Sequence, residues 1–240
     1  MGIFVIGDLH LSLDEKVNKS MDIFGGIWEK HWQTLERNWR KNISSEDTVI
    51  IAGDISWGLK LPEAMTDLMW IHNLPGKKIL FKGNHDLWWS GIGKLNKLFD
   101  DMIFVQNRCC FADDVFICGS RGWNCPGSEG FTSSDDKIYK RELLRLENSL
   151  REAYEMKNMS VDCRDEKSEI IGILHYPPTN DKKQSSGFTE LFEKYGVKRV
   201  FYGHLHNEDA KKNRESISFN GVSYKLISFD AIDGNPYKIQ

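Results

Sequence analysis

The chain has 240 residues, of which 40% are hydrophobic and 28% are charged, as is typical of a folded globular protein. Lysine and arginine number 32 against 35 aspartates and glutamates, so the net charge of −3 disfavours a protein whose main task is to bind nucleic acid. The longest apolar run covers only about the first seven residues, which is too short for a membrane span, and we expect a single domain over residues 1–240.

Short apolar or β-branched runs bounded by turn residues recur along the chain and predict buried strands. Their continuous apolar character is typical of strands that are covered on both faces, as in parallel sheets. In chain order the predicted strands cover residues 3–6, 48–52, 78–82, 102–105, 115–118, 170–174 and 198–202.

Helical periodicity between these strands predicts the connecting helices. Aromatic residues at helical spacing predict a helix over 17–41, and a shorter helix with a proline in its first turn is predicted over 62–73. A stripe of leucine and tyrosine predicts a helix through 139–154, whose charged residues we interpret as a solvated face. A last short helix is predicted over 187–195.

The C-terminal part of the chain predicts an antiparallel hairpin. Two β-rich runs, 216–219 and 222–227, flank Asn220-Gly221, and this pair suits a tight turn that needs positive φ at both positions. Parallel β-α-β units therefore come first and antiparallel strands last. The Gly- and Ser-rich stretch 121–136 is predicted to be a loop, either near a site or on the surface.

Five segments at or after predicted strand ends carry residue types that bind metals. They are Gly7-Asp8-Leu9-His10, Gly53-Asp54, Gly83-Asn84-His85-Asp86, His175 and Gly203-His204-Leu205-His206. Each alone has a common structural explanation, but their coincidence favours one metal site, because ligands of open α/β sheets lie outside the carboxyl ends of the strands. Carboxylates, an amide and imidazoles without thiolates suit Mn, Fe, Zn or Co better than a structural cysteine-rich zinc site.

This ordered set resembles the calcineurin-like metallophosphoesterases, and the resemblance spans residues 8–206. It implies an α/β fold, a four-layer α/β/β/α sandwich of two mixed β-sheets flanked by helices, and two divalent metal ions (Mn, Fe, Zn, Co or Ni). The implied ligands are Asp8, His10 and His206 for one metal, Asn84, His175 and His204 for the other, and Asp54 as a bridge. His85 would be the catalytic histidine beside the metals.

The predicted function is metal-dependent hydrolysis of a small or medium phosphodiester or phosphomonoester. Two metals about 3.5–4 Å apart bind phosphate oxygens and lower the pKa of a bridging water, so a metal-bridging hydroxide would attack phosphorus. His85 would steady the developing charge or protonate the leaving oxygen. Asp86 either orients His85 or has a structural role in its loop.

One motif departs from the protein Ser/Thr phosphatases of this superfamily, which carry Gly-Asp-x-x-Asp-Arg-Gly. Here Gly53-Asp54-Ile55-Ser56-Trp57-Gly58 lacks the second Asp and the Arg, which weakens a protein-phosphatase assignment. Arg121 is a candidate substitute for binding phosphate, or else an ordinary surface residue. Four tryptophans follow these motifs and either line a substrate pocket or hold the loops: Trp57, Trp88, Trp89 and Trp123. Trp28, by contrast, is expected in the core.

Other functions remain as alternatives. A nuclease or a lipid-precursor pyrophosphate hydrolase of the same fold is the main one, and the stretch 121–154 would have to build the apolar groove that a lipid needs. A non-catalytic scaffold is less favoured, because the ligand set is complete. Five cysteines without Cys-x-x-Cys spacing and no visible signal peptide predict a cytoplasmic location.

Overall fold

Two β-sheets run through the middle of the molecule, and this computed structural model describes residues 1–159 and 168–240, so Cys163 lies outside the described residues. In the first sheet β1 (Ile3–Ile6), β2 (Thr48–Ala52), β3 (Lys77–Phe81) and β4 (Met102–Phe104) are parallel neighbours in that order, and β11 (Tyr237–Lys238) pairs antiparallel with β1. The second sheet has β6 (Val115–Ser120), β7 (Glu169–Leu174), β8 (Arg199–Tyr202) and β10 (Val222–Leu226) as parallel neighbours. Its antiparallel edges are β5 (Cys110–Ala112) beside β6 and β9 (Ile217–Phe219) beside β10.

Helices cover the outer face of each sheet. Residues of α1 (His31–Asn42), α2 (Leu61–His72) and α3 (Ile92–Leu95) pack on the first sheet, and residues of α4 (Ser133–Met159), α5 (Gly187–Lys194) and α6 (Asn207–Lys212) pack on the second. Within the described part of the chain, no helix is both long and apolar enough to cross a membrane.

Alternation along the strands separates three apolar layers. In β1 the side chains of Ile3 and Val5 point between the two sheets, whereas Phe4 and Ile6 point at the helices. The strands of the second sheet alternate in the same way. Each fully buried side chain of this kind contributes roughly 1.5–3 kcal/mol to folding. The predicted four-layer α/β/β/α sandwich is confirmed.

The largest error in the sequence prediction concerns residues 17–30. The first α-helix begins only at His31, and the preceding chain forms two 3₁₀ turns, Met21–Phe24 and Gly26–Trp28. Gly25 and Gly26 both have φ near +60°, a conformation that an α-helix does not accommodate. The predicted C-terminal hairpin is confirmed, because β9 and β10 pair antiparallel on either side of Asn220-Gly221. β10 also pairs parallel with β8, so the C-terminal strands are not antiparallel throughout.

Candidate metal centre

The predicted ligands come together at the carboxyl ends of the strands of both sheets. Asp8 and His10 follow β1, Asp54 follows β2, Asn84 follows β3, and three histidines of the second sheet, His175, His204 and His206, follow β7 and β8. Asp8, His10, Asp54 and His204 all have positive φ, between 45° and 75°. A non-glycine residue in that region costs of order 1–3 kcal/mol, and such strain concentrates at functional sites.

Two glycines make room for the central carboxylates. A Cβ on Gly83 would lie 2.0 Å from Oδ1 of Asp54, and a Cβ on Gly203 would lie 2.3 Å from Oδ2 of Asp8. Neither distance is possible for real atoms, so the carboxylates occupy the space that any larger residue would fill. The Gly-Asn and Gly-His pairs of the sequence motifs therefore have a steric cause.

One group of donor atoms joins Asp8, His10 and His206, whose ligand atoms all lie within 4.8 Å of one another. Nε2 of His206 is 3.2 Å from Nε2 of His10 and 3.5 Å from Oδ1 of Asp8. Oδ2 of Asp54 lies 3.8 Å from Nε2 of His10. The three residues that the resemblance assigns to one metal are thus neighbours in space.

A second group joins Asp8, Asp54 and His175. Nε2 of His175 lies 3.4 Å from Oδ2 of Asp54 and 2.7 Å from Oδ1 of Asn84. Nδ1 of His204 is 3.1 Å from the same oxygen of Asn84. The structure thus brings all seven predicted ligands together, with Asp54 between His10 on one side and His175 on the other.

The buried carboxylates of the centre favour the protonated forms of two neighbouring histidines. Burial alone lowers a histidine pKa, yet the carboxylates of Asp54 and Asp8 raise the pKa of His175 to about 9. Burial is likewise outweighed at His206, where Asp230 and Asp8 raise the pKa to about 10. At His10 burial wins and lowers the pKa to about 4. Carboxylates that favour protons on the neighbouring imidazoles would equally favour a divalent cation in place of those protons, so this donor set fits divalent metal ions.

Asp230 is a member of the site that the sequence analysis missed. Its Oδ1 accepts a hydrogen bond of 3.0 Å from Nδ1 of His206, and its Oδ2 accepts one of 2.8 Å from the backbone of Asn207. His175 is held similarly, since its Nδ1 donates to the carbonyl of Ala52 at 3.1 Å. Such outer partners fix which ring nitrogen of a histidine faces a metal.

The carboxylate of Asp86 forms hydrogen bonds mainly with backbone N–H groups. It accepts hydrogen bonds from the N–H groups of Ile55, Ser56 and Gly83 and from the indole of Trp88. It therefore ties the loop after β2 to the loop after β3, and burial raises its pKa to about 6. This arrangement fits the structural alternative, and a role for Asp86 in orienting His85 stays a prediction.

His85 lies beside the donor atoms with its side chain exposed. Its backbone N–H donates to Oδ1 of Asp54 at 2.8 Å, and its ring centre lies 4.4 Å from that of Trp57 and 5.8 Å from that of His10. Partial burial lowers its pKa below the ordinary value. The placement suits a group that contacts a substrate bound at the centre.

A cavity of about 260 Å³ opens directly at the donor atoms. Trp57 lines it and stacks on His10 with ring centres 4.7 Å apart. Met21, Phe24 and Trp28 also line it and supply apolar surface, so Trp28, expected in the core, is both buried and part of the cavity.

The other predicted substrate residues do not line this cavity. The guanidinium of Arg121 stacks on Trp123 at 4.5 Å and lies 3.6 Å from Glu142, so Arg121 is not an ordinary surface residue. The indole of Trp123 donates to Asp135 at 2.9 Å. Trp88 and Trp89 are buried under the first sheet and hold the loops. Substrate binding by Arg121 and Trp123 stays a prediction.

Comparison with known proteins decides the family. The family model of the calcineurin-like phosphoesterases matches residues 1–208. The chain belongs to this family.

Two curated relatives and two solved structures are similar to this chain. Gene 66 protein of Mycobacterium phage L5 is 39% identical over 82 residues, which are 33% of this chain and 37% of that protein. Gene 66 protein of Mycobacterium phage D29 is 36% identical over 84 residues, or 35% of this chain and 40% of that one. The chain therefore spans about two fifths of the length of these relatives.

The two structures show the same fold at low sequence identity. Phosphopantetheinyl hydrolase from Mycobacterium tuberculosis has a TM-score of 0.55 at 13% identity, and the match covers 99% of this chain and 95% of that one. The protein TT1561 of Thermus thermophilus has a TM-score of 0.52 at 10% identity and coverage of 99% and 97%. Both likenesses extend over nearly the whole of each chain, so the family fold is not restricted to the part that carries the motifs.

Proposed function

We propose that the chain hydrolyses small phosphodiesters or phosphomonoesters with two divalent metal ions. The observation that carries this proposal is the position of the two central carboxylates. Asp54 is within 3.8 Å of His10 in one donor group and within 3.4 Å of His175 in the other. A carboxylate in that position is suited to serve two metals at once.

We assign the ligands to the two metals as the family resemblance implies. One metal would be held by Asp8, His10 and His206, the other by Asn84, His175 and His204, with Asp54 shared. Two metals there would polarise the phosphate oxygens and lower the pKa of a water between them. Asp8 also contacts His175, at 3.7 Å, so it helps to place the second group.

His85 is the proposed proton donor to the leaving oxygen. Among the imidazoles of the strand-end motifs it is the exposed one, and its ring faces the cavity. Trp57 packs against it and limits its rotation. The leaving group therefore departs on the side of the centre where His85 and Trp57 lie.

The test is an ester panel after chelation. The metal-free protein should be inactive on p-nitrophenyl phosphate and bis-p-nitrophenyl phosphate, and reloading with Mn, Ni, Co, Zn or Mg should restore turnover of at least one. Asp54→Asn should weaken both metal sites and abolish that recovery. Asp209→Asn is the matched control, since Asp209 is an exposed carboxylate on α6 that pairs with Lys212.

Two results would overturn the proposal. Turnover that survives complete chelation would remove the metals from the reaction. Efficient cleavage of DNA with a rate that falls steeply between low and moderate salt would favour the nuclease alternative, because such salt dependence reports contacts to many phosphates.

A further inference from the structure

The cavity at the metal centre has two unlike kinds of lining. Polar groups come from His10, Asp54, His85, His204, His206 and Asn207, and the apolar wall consists of Met21, Phe24 and Trp28 of the 3₁₀ segment 20–28 together with the ring of Trp57. The polar groups suit a phosphoryl group. The apolar wall has to be explained by whatever is attached to the phosphate.

Hydrogen bonds within and next to the 3₁₀ segment 20–28 hold the apolar wall in place. Ser20 caps the first turn through its hydroxyl, which accepts from the N–H of Asp22 at 3.2 Å, and the carboxylate of Asp22 accepts from the N–H of Lys30 at 2.7 Å. Trp28 packs against Phe229 with ring centres 5.2 Å apart and against His206 at 5.4 Å. The wall is thus tied to the core and to a proposed metal ligand.

Phe24 and Ile23 are neighbours in the same turn, but only Phe24 faces the cavity. Phe24 is 61% exposed and lines the cavity, whereas Ile23 is 81% exposed and does not. A bound apolar group would remove the exposed surface of this phenyl ring from water, which favours binding.

The size and charge of the cavity restrict its occupant. A cavity of roughly 150 Å³ accommodates a benzene ring, so the cavity of about 260 Å³ found here, part of which the phosphoryl group would fill, leaves room for a group of about one ring. The ammonium of Lys19 lies over the ring of Trp57, 4.8 Å from the ring centre, and disfavours a cationic group there. The side chains of Met21 and Phe24 offer no hydrogen bonds to the hydroxyls of a sugar.

From this geometry we infer that the substrate is a phosphate ester of a compact, uncharged or anionic, aromatic or branched apolar alcohol. Phe24, Met21 and Trp57 contact that alcohol, and Phe24 determines the preference for it. The inference rests on the proposed function, because the phosphate must be bound at the metal centre for its organic group to reach this wall.

The test compares binding of two phosphonates, which carry the phosphoryl group but are not hydrolysed. Calorimetry with the metal-loaded protein should show that phenylphosphonate binds at least about 10-fold more tightly than methylphosphonate, the range expected for apolar contacts in a pocket. Phe24→Ala should remove most of this difference, and Phe24→Leu should keep most of it. Ile23→Ala, the matched control, should leave it unchanged.

The outcomes separate the inference from the proposed function. Equal affinity of the wild-type protein for the two phosphonates, or equal losses in Phe24→Ala and Ile23→Ala, would overturn the inference alone. If neither phosphonate binds the metal-loaded protein, the proposed function fails as well. Met21→Ala, a second variant of the same wall, should also reduce the preference for phenylphosphonate.

Discussion

Gly203→Ala tests the position of a metal-ligating carboxylate without changing any ligand. The added Cβ would lie 2.3 Å from Oδ2 of Asp8, whereas ordinary contacts begin near 3.4 Å, so the carboxylate must move by about 1 Å. Asp8 cannot turn away freely, because the backbone N–H of His204 donates to both of its oxygens. Metal–ligand distances tolerate deviations of only about 0.2 Å. The affinity for metal should therefore fall by at least about 10–100-fold, as when an outer partner of a ligand is lost.

The assay is calorimetric metal titration of the chelated protein, with circular dichroism to confirm that the variant is folded. Gly93→Ala is the control, since a Cβ there meets nothing within 4 Å. If Gly203→Ala does not fold, Asp8→Asn removes the charge of the same carboxylate without adding volume at Gly203. A folded Gly203→Ala or Asp8→Asn protein that binds metal with wild-type affinity would refute the assignment of Asp8 as a ligand.

Three further changes probe separate groups. His85→Ala should retain metal and lower turnover by about 10²–10⁴-fold for esters with poor leaving groups. The loss should be smaller for nitrophenyl esters, whose leaving group needs little protonation. Equal losses for both kinds of ester would show that His85 positions the phosphate and does not donate a proton. Asp230→Ala should weaken metal binding about 10–100-fold by freeing the His206 ring, whereas the exposed Asp233→Ala should not, and titration of both variants measures this. Burial raises the pKa of Asp67 to about 6 from an ordinary 3.8, so the folded state favours its protonated form and loses stability as the pH rises from about 4 to 6. The free energy of unfolding of Asp67→Asn, measured in urea, should therefore rise relative to that of the wild type by up to about 3 kcal/mol as the pH goes from 4 to 7. A difference between the two proteins that does not change with pH would contradict this.

Strand positions and most of the metal centre could be predicted because both leave local patterns in the sequence. Buried parallel strands appear as apolar runs, and the ligands follow them directly, as Asp54 follows β2 and His175 follows β7. Short edge strands such as β5 and β11 have three and two residues, too few for any period to be recognised.

The segment before α1 misled the periodicity argument for a physical reason. Phe24 and Trp28 lie at helical spacing because both face the cavity, although the two glycines between them interrupt the helix. The role of Phe24 and Trp28 in lining the cavity could therefore not be predicted from their spacing. Asp230 was missed because a single aspartate after β10 carries no pattern that distinguishes it from a turn residue, and only its 3.0 Å contact with His206 reveals its role.

Arg121 shows the limit of predicting contacts from a position after a strand. It does follow β6, but the side chain turns toward Glu142 on α4 and away from the donor atoms. Which way a side chain turns depends on partners distant in the sequence, here a buried glutamate on another element.

Anomalous diffraction from crystals soaked in manganese after chelation would locate the metal ions directly. We expect two peaks about 3.5–4 Å apart, one against Asp8, His10 and His206 and the other against Asn84, His175 and His204, with Asp54 touching both. A single peak at saturating metal, or two peaks that do not share Asp54, would contradict this expectation.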